Sequence, residues 1–300
     1  MNLKVKKIIS IIILFIYIIL LSSCNFPLDS ITSKLSVSPS IVKINSNPNI
    51  LTVHYINVGQ GDSELIQIND KNILIDAGPK FSEDKVVSYL KTQGITKIDY
   101  LIGTHPHEDH IGGMEAVIEN FKIGKFIGPK IYNPPTDSIF KDLITTLKSK
   151  NMKITVLEPG SYINLGENIN FQILSPSKTY YENLNNYSIV SKITYKNSKF
   201  IFTGDTEEDD EKKILNAGFD ISCDVLKIAH HGSKTSSSED FLKEASPKIA
   251  VISCGKNNDY GHPNKTILDR LKSINCKIYR TDLNGDIVIT SDGNNIRKLE

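Results

Sequence analysis

From residue 51 onward, apolar and polar positions fall into short blocks whose period switches between two and about 3.6 residues. Leu51–Val58, Glu64–Ile68 and Asn72–Ile75 are rich in β-branched and aromatic side chains, with a turn at Asn69-Asp70-Lys71, and they predict three strands. Over Ser82–Gln93, Val86, Val87 and Leu90 share one helical face. Ile98–Ile102 predicts a buried strand. Thr136–Lys150 predicts a helix, with Ile139, Phe140, Leu143, Ile144 and Leu147 at helical spacing, Asp137 early and Lys148 late. Ile154–Leu157, Ile169–Leu174, Ile189–Tyr195 and Lys199–Phe202 predict strands, the last two joined at Asn197-Ser198. Beyond Asp205 the pattern predicts helix (207–217), strand (223–229), helix (237–245), strand (248–253), helix (263–273), strand (276–280) and a last strand (286–290) after Asn284-Gly285. Strand-rich stretches with helices in both halves suggest two packed sheets flanked by helices. The acidic run Glu207–Glu211 reads as the first turn of a helix capped by Thr206.

The N-terminus is patterned differently. Lys4, Lys6 and Lys7 precede an apolar run from Ile8 to Leu21, and Leu21-Ser22-Ser23-Cys24 follows. Basic, apolar and small-residue segments in that order predict a secretory signal peptide, and the run is shorter than the roughly 20 residues that span a bilayer. Cys24 directly after small residues resembles a bacterial lipoprotein signal; that resemblance implies cleavage before Cys24 and lipidation of it. An uncleaved N-terminal anchor is the alternative, and both readings place the domain outside the cytoplasmic membrane. Residues 24–50 are rich in Ser, Pro and Asn without periodicity and read as a tether, leaving 51–300 as one domain.

The chain carries 35 basic and 34 acidic residues; without the first 23 the balance is 32 to 34. A slightly acidic domain is poor material for gripping nucleic acid by bulk charge, so no stable nucleic-acid complex is expected. With 39% hydrophobic and 23% charged residues, disorder, collagen and a polytopic membrane protein are excluded. Beyond Cys24, the three cysteines Cys223, Cys254 and Cys276 imply no disulfide framework, although one bridge is compatible with an extracytoplasmic setting, and no Cys-x-x-Cys zinc knuckle occurs.

The chemistry concentrates at strand ends. His105-Pro106-His107-Glu108-Asp109-His110 directly follows the strand Ile98–Ile102 and holds three of the seven histidines. Imidazole and carboxylate are ligands suited to Zn²⁺, Mn²⁺ or Fe, so His105 and His107 can share one metal while Asp109 and His110 face a second. Gly112-Gly113 is expected to open the next helix close to the site. Phe200–Phe202 runs into Thr203-Gly204-Asp205, where a carboxylate would be costly to bury unless paired or metal-bound. Leu226–Ala229 ends in His230-His231-Gly232-Ser233, and Tyr260-Gly261-His262-Pro263 opens a helix with Pro263 at its first position. His54, mid-strand, reads as a packed or surface histidine.

His105-x-His107-x-Asp109-His110, Thr203-Gly204-Asp205 and His-His-Gly together resemble the metallo-β-lactamase superfamily signature. Residues 57–63 (Asn-Val-Gly-Gln-Gly-Asp-Ser), Asp76-Ala77-Gly78, 185–188 (Asn-Asn-Tyr-Ser), residues 230–236 (His-His-Gly-Ser-Lys-Thr-Ser) and Tyr260-Gly261-His262-Pro263 resemble more narrowly the hydrolase domain of the ComEC competence family. The resemblance implies an α+β fold, a four-layer αββα sandwich with the metal site at one edge of the sheets. It implies two divalent ions, Zn or Mn. His105 and His107 match first-metal ligands, Asp109 and His110 the second-metal side, Asp205 the bridging carboxylate, and His230 or His231 the last ligand. Many superfamily members carry one more His between the hexapeptide and the Gly-Asp strand; residues 111–204 hold none, so either His230 or a water fills the gap or the first metal binds weakly.

A bound metal lowers the pKa of its water from about 15.7 toward about 7, giving hydroxide at neutral pH. Asp109 would orient it or take its proton, and His262 or Lys234 would help to stabilise charge on the substrate oxygen. Ser233 and Ser236 can donate to a phosphate, whereas Ser237 or Ser238 serves equally well as a helix cap. The expected function is a membrane-tethered phosphodiesterase or nuclease. An ester, thioester, lactone or β-lactam hydrolase is the alternative on the same fold, and a non-catalytic binding lipoprotein the third.

Overall fold

A computed structural model of the chain describes residues 47–177 and 180–300. The signal peptide, Cys24 and most of the tether lie outside the described residues.

One sheet has eight strands in the order β15-β14-β1-β2-β3-β4-β5-β6: β1 Leu51–Tyr55, β2 Glu64–Ile68, β3 Lys71–Ile75, β4 Lys97–Ile102, β5 Lys122–Ile127, β6 Ile154–Thr155, β14 Ile287–Ser291 and β15 Ile296–Lys298. The other has seven, β13-β12-β11-β10-β9-β8-β7: β7 Tyr162–Ile163, β8 Ile169–Ser175, β9 Val190–Tyr195, β10 Ser198–Phe202, β11 Val225–Lys227, β12 Ile249–Ile252 and β13 Lys277–Arg280. Strands β3 to β6 run parallel, as do β10 to β13, and the remaining pairs are antiparallel.

The strand pattern explains the layers. Neighbouring residues on a strand face opposite sides. Val53, Ile66 and Ile73 meet Ile193, Phe200 and Val251 between the sheets. Leu65, Leu74 and Leu101 face out, under helices α1 (Glu83–Thr92), α3 (Met114–Asn120) and α4 (Ser138–Ser149), which supply Val86, Leu90, Val117, Leu143 and Leu147. Ile201, Leu226 and Ala250 are covered by Ile214 of α5 (Glu208–Asn216), Phe241 of α6 (Glu239–Ala245), and Ile267 and Leu271 of α7 (Lys265–Ser273). Both sheets are thus covered on both faces, which is why β1 and β2 are buried at every position. The result is the αββα sandwich expected from the resemblance.

Several local expectations need correction. Glu108–Ile111 is already a helical turn (α2), and Gly112-Gly113 joins it to α3. A Cβ on Gly113 would stand 2.3 Å from the Ala77 carbonyl oxygen, so the tight approach is to the end of β3. Asn264, not a helical Pro263, caps α7, accepting from the Thr266 N–H at 3.0 Å. Glu207 rather than Thr206 occupies the cap of α5, and Ser238 caps α6 by accepting from the Phe241 N–H. Strand β5 has no counterpart in the sequence pattern, because Lys122, Gly124 and Lys125 interrupt its apolar residues. Cys223, Cys254 and Cys276 are buried free thiols, so no bridge forms among them.

Candidate metal centre

The hexapeptide, the Gly-Asp turn and the His-His turn leave the carboxyl ends of β4, β10 and β11 and meet between the two sheets. Local backbone strain aims some of them. Asp76, His230 and His231 all have positive φ (55°, 50° and 53°), a region that costs a non-glycine residue about 1–3 kcal/mol and persists where the surroundings enforce it. Gly61 (φ 140°) lets the loop after β1 press on the hexapeptide: a Cβ there would lie 2.3 Å from the Asp109 carbonyl, and Asp62 N–H donates to that carbonyl at 3.1 Å.

Asp205 is the hub. Its Oδ1 lies 3.2 Å from His110 Nε2, and its Oδ2 lies 3.4 Å from His231 Nε2, 3.7 Å from His230 Nε2 and 3.9 Å from His105 Nε2. Asp109 Oδ2 stands 3.1 Å from His231 Nε2 and 3.8 Å from His110 Nε2. His105 Nε2 and His107 Nδ1 face each other at 3.0 Å. Ligand atoms of Asp109, His110, Asp205 and His231 converge within 4.8 Å of one another.

The rings of His110, His231, His105 and His230 are held from behind, which selects the nitrogen facing the centre. His110 Nδ1 sits 2.7 Å from Asp76 Oδ2, whose carboxylate also accepts from the Thr104 N–H and hydroxyl. His231 Nδ1 donates to the Ser253 carbonyl at 3.0 Å and lies 3.2 Å from Asp62 Oδ1. His105 Nδ1 faces the hydroxyls of Thr104 and Ser188, and His230 Nδ1 faces Glu207 Oε1 at 3.4 Å.

These atoms fit a cation. His110 Nε2 and Asp205 Oδ1 are buried and face each other at 3.2 Å, and neither has a further hydrogen-bond partner. Burial opposes charge on His110 and His231, but Asp205 and the other surrounding carboxylates outweigh it and hold both imidazoles protonated well above their ordinary range. Asp205 is held well below the usual carboxylate range, because His110 and His231 outweigh its burial. A divalent ion would take the place of the imidazole protons, since metal ligands bind in their deprotonated form.

Asp62 and Lys227 belong to the centre without having been singled out as site residues. Lys227 Nζ, fully buried, bonds Asp62 Oδ2 at 2.7 Å and the Ile228 carbonyl at 3.0 Å. Burial would raise the Asp62 carboxyl, but Lys227, His231 and His110 hold it below the ordinary value. The signals were present: Lys227 interrupts an apolar strand, and Asp76 ends one, as Asp205 does.

A cleft of about 470 Å³ opens over the cluster, lined by His107, Asp109, Asp205, His230, His231 and His262 among others. His262 is pushed down to about 4, by burial first and then by His231 and His230, so its ring is neutral at pH 7. Ser233, Lys234 and Ser236, expected to bind substrate, are not among the lining residues. Lys234 is exposed, Ser233 is buried with its hydroxyl 3.0 Å from Thr235, and Ser236 is buried. His54 is a core histidine between Tyr89 and Gln67, lowered to about 4 by burial.

The comparisons agree with this geometry. The Metallo-beta-lactamase superfamily profile matches residues 56–256. The chain is similar to ComE operon protein 3 of Bacillus subtilis (strain 168), at 32% identity over 254 residues covering 78% of the chain and 32% of that protein. It is also similar to Competence protein ComA of Neisseria gonorrhoeae, at 29% identity over 229 residues covering 76% and 30%. It thus spans about a third of the length of these relatives. Among solved structures, the metallo-beta-lactamase fold protein YhfI from Bacillus subtilis shares the fold at TM-score 0.52 and 14% identity, covering 83% of this chain and 100% of that one. The fold, the converging ligand atoms and the sequence match together make the chain a metal-dependent hydrolase of the metallo-β-lactamase superfamily, with competence proteins among its homologues.

Proposed function

We propose that this protein is a phosphodiesterase that works outside the cytoplasmic membrane, tethered through a lipidated Cys24, with two divalent ions, Zn or Mn. The observation that carries the reading is Asp205, whose two oxygens face different ring nitrogens: Oδ1 faces His110, and Oδ2 faces His105, His230 and His231. Asp109, His110, His231 and Asp205 would hold one ion; His105, His107, His230 and Asp205 would hold the other. His230 then fills the place left by the missing histidine, its Nδ1 fixed by Glu207. Metal ions at this place supply Lewis acidity, lowering the pKa of water and polarising a phosphoryl oxygen.

The chain's own groups do the rest. Asp109, partly exposed at the cleft floor, orients the attacking water and takes its proton. His262 Nδ1 is buried without a hydrogen-bond partner, and its neutral ring can donate to a substrate oxygen. The near balance of charge favours small or short phosphodiesters over long duplexes. Hydrolysis of an ester, thioester, lactone or β-lactam is the second reading. It is favoured by an apolar cavity of about 320 Å³ against His105 and Pro106, where Phe126, Phe140 and Leu143 would accept an acyl chain.

Purified protein with Mn²⁺ or Zn²⁺ should hydrolyse bis(p-nitrophenyl) phosphate or a fluorescent oligonucleotide, and Asp109→Asn should lower kcat about 10²–10⁴-fold. Lactone or nitrocefin turnover without phosphodiester cleavage would move the assignment to the second reading. Neither activity, with no metal retained, would leave a binding lipoprotein. Membrane fractionation that follows Cys24, and is lost on Cys24→Ala, tests the tether.

A further inference from the structure

Two aromatic rings stand at the cleft with most of their surface in water. Phe81 is 78% exposed and Tyr260 is 72% exposed, and both line the cleft that holds Asp109, Asp205 and His231. Phe81 lies in the short turn Lys80–Ser82 that follows β3 of the eight-stranded sheet. Tyr260 lies in the loop between β12 of the seven-stranded sheet and α7. The cleft is therefore flanked by one ring from each half of the sandwich. Tyr260 already takes part in a stack, nearly parallel to His262 at 5.7 Å and 22°. Two other exposed aromatics, Tyr132 and Tyr180, pack edge-to-face on each other and do not line the cleft. Water-exposed apolar rings converging on a reactive centre mark a binding surface more than a fold requirement.

We infer that Phe81 and Tyr260 form an aromatic clamp that stacks unpaired nucleobases on either side of the phosphodiester to be cut. This deepens the phosphodiesterase reading and rests on it. Every nucleobase presents a π face, so stacking grips nucleotides without reading their sequence. The described chain offers no bulk positive field for that task, since residues 47–300 hold 30 basic against 33 acidic side chains. A clamp of rings supplies affinity that does not depend on charge, and duplex DNA, with its bases already stacked, would be excluded.

The test separates the clamp from the chemistry. Fluorescein-labelled tetrathymidylate and its abasic tetramer are titrated with the full chain in EDTA, with anisotropy as the readout. Wild type should bind the thymidylate at least roughly tenfold more tightly than the abasic strand, and Phe81→Ala and Tyr260→Ala should each remove most of that preference. Phe81→Trp and Tyr260→Phe should keep it. Binding should weaken only slightly between 50 and 200 mM salt, a shallow slope being expected where few phosphates are neutralised. In a second arm, thymidine 5′-(p-nitrophenyl phosphate) is compared with methyl p-nitrophenyl phosphate, and the ratio of their kcat/KM values should fall in the alanine variants. Equal binding of the two tetramers by wild type, or a preference untouched by both alanine variants, would overturn the clamp. Base-dependent binding without turnover would overturn the phosphodiesterase reading and leave the clamp standing.

Discussion

Glu64 shows what a single enclosed group does to this molecule. It stands opposite Tyr55 in the β1–β2 pair, wholly buried, and its Oε1 has no hydrogen-bond partner. Burial, then the carboxylates of Asp62 and Asp76, push its pKa well above the ordinary range, against the opposing pull of Lys227. A carboxyl raised on folding contributes its stability in full below its unfolded pKa of about 4.3, and that contribution is lost as pH climbs toward the folded value. Glu64→Gln keeps the shape and removes the charge. The variant should match wild type near pH 4 and exceed it progressively above that, by up to ~1.4 kcal/mol per pH unit until the folded pKa is passed. Urea denaturation in EDTA at pH 5 and pH 8 measures this, and a variant less stable than wild type at pH 8 would contradict it. At this scale the sequence was informative for residues whose chemistry is conspicuous in a short window. His105, His107, Asp109, His110, Asp205, His230 and His231 stand out because polar ligands follow apolar strands. Ser233, Lys234 and Ser236 matched a motif equally well, yet they lie away from the cleft lining, because the left-handed turn at His230-His231 redirects the chain after the histidines.

At the scale of elements, β11 and the loop after β1 are joined by the buried pair Lys227–Asp62, which links one sheet to the other. Burial alone would strip the Lys227 charge, but Asp62 and then Glu64 hold its pKa above the ordinary value. Replacing one member leaves the other charged and enclosed. Lys227→Met should therefore cost about 3–5 kcal/mol, while Lys227→Met with Asp62→Leu should recover a large part of that loss. A double-mutant cycle by denaturant unfolding reads the coupling; additive losses would mean that the pair does not act as a unit. His231 leans on the same Asp62, so Lys227→Met should also weaken metal binding. Most strands and helices were readable from periodicity, to within a residue or two at their ends. Strands β5, β7 and β15 were not; in β5, which pairs with the two-residue edge strand β6, the exposed Lys122 and Lys125 break the apolar alternation. The cap of α7 was misplaced by reading Pro263 alone, when the side chain of Asn264 satisfies the free N–H of Thr266.

For the whole molecule, the metal centre is a joint between two halves. His105, His107, Asp109 and His110 come from the eight-stranded sheet's loops, and Asp205, His230 and His231 from the other's. An ion held by both sets binds the folded chain alone, so it must stabilise the sandwich as a unit. At a free metal concentration about 100 times Kd the gain is about 2.7 kcal/mol, a rise in Tm on the order of 5–10 °C for a domain of this size. Calorimetry of EDTA-stripped protein with and without Mn²⁺ or Zn²⁺ checks this, and Asp205→Asn should abolish the shift. Among the described residues no helix is long and apolar enough to cross a membrane.

By itself the sequence determined the layer pattern, because strand and helix periods are local properties of which side chains must be hidden. It also determined the metal-binding character of the site, because a hexapeptide with three histidines and a free carboxylate has few other uses. Only the tertiary structure decided which atoms share a centre. It set Asp205 between two groups of nitrogens, buried Lys227 against Asp62 across 165 positions of chain, and brought Phe81 and Tyr260 to one cleft. Those pairings are set by how two sheets pack, and no window of sequence contains both partners.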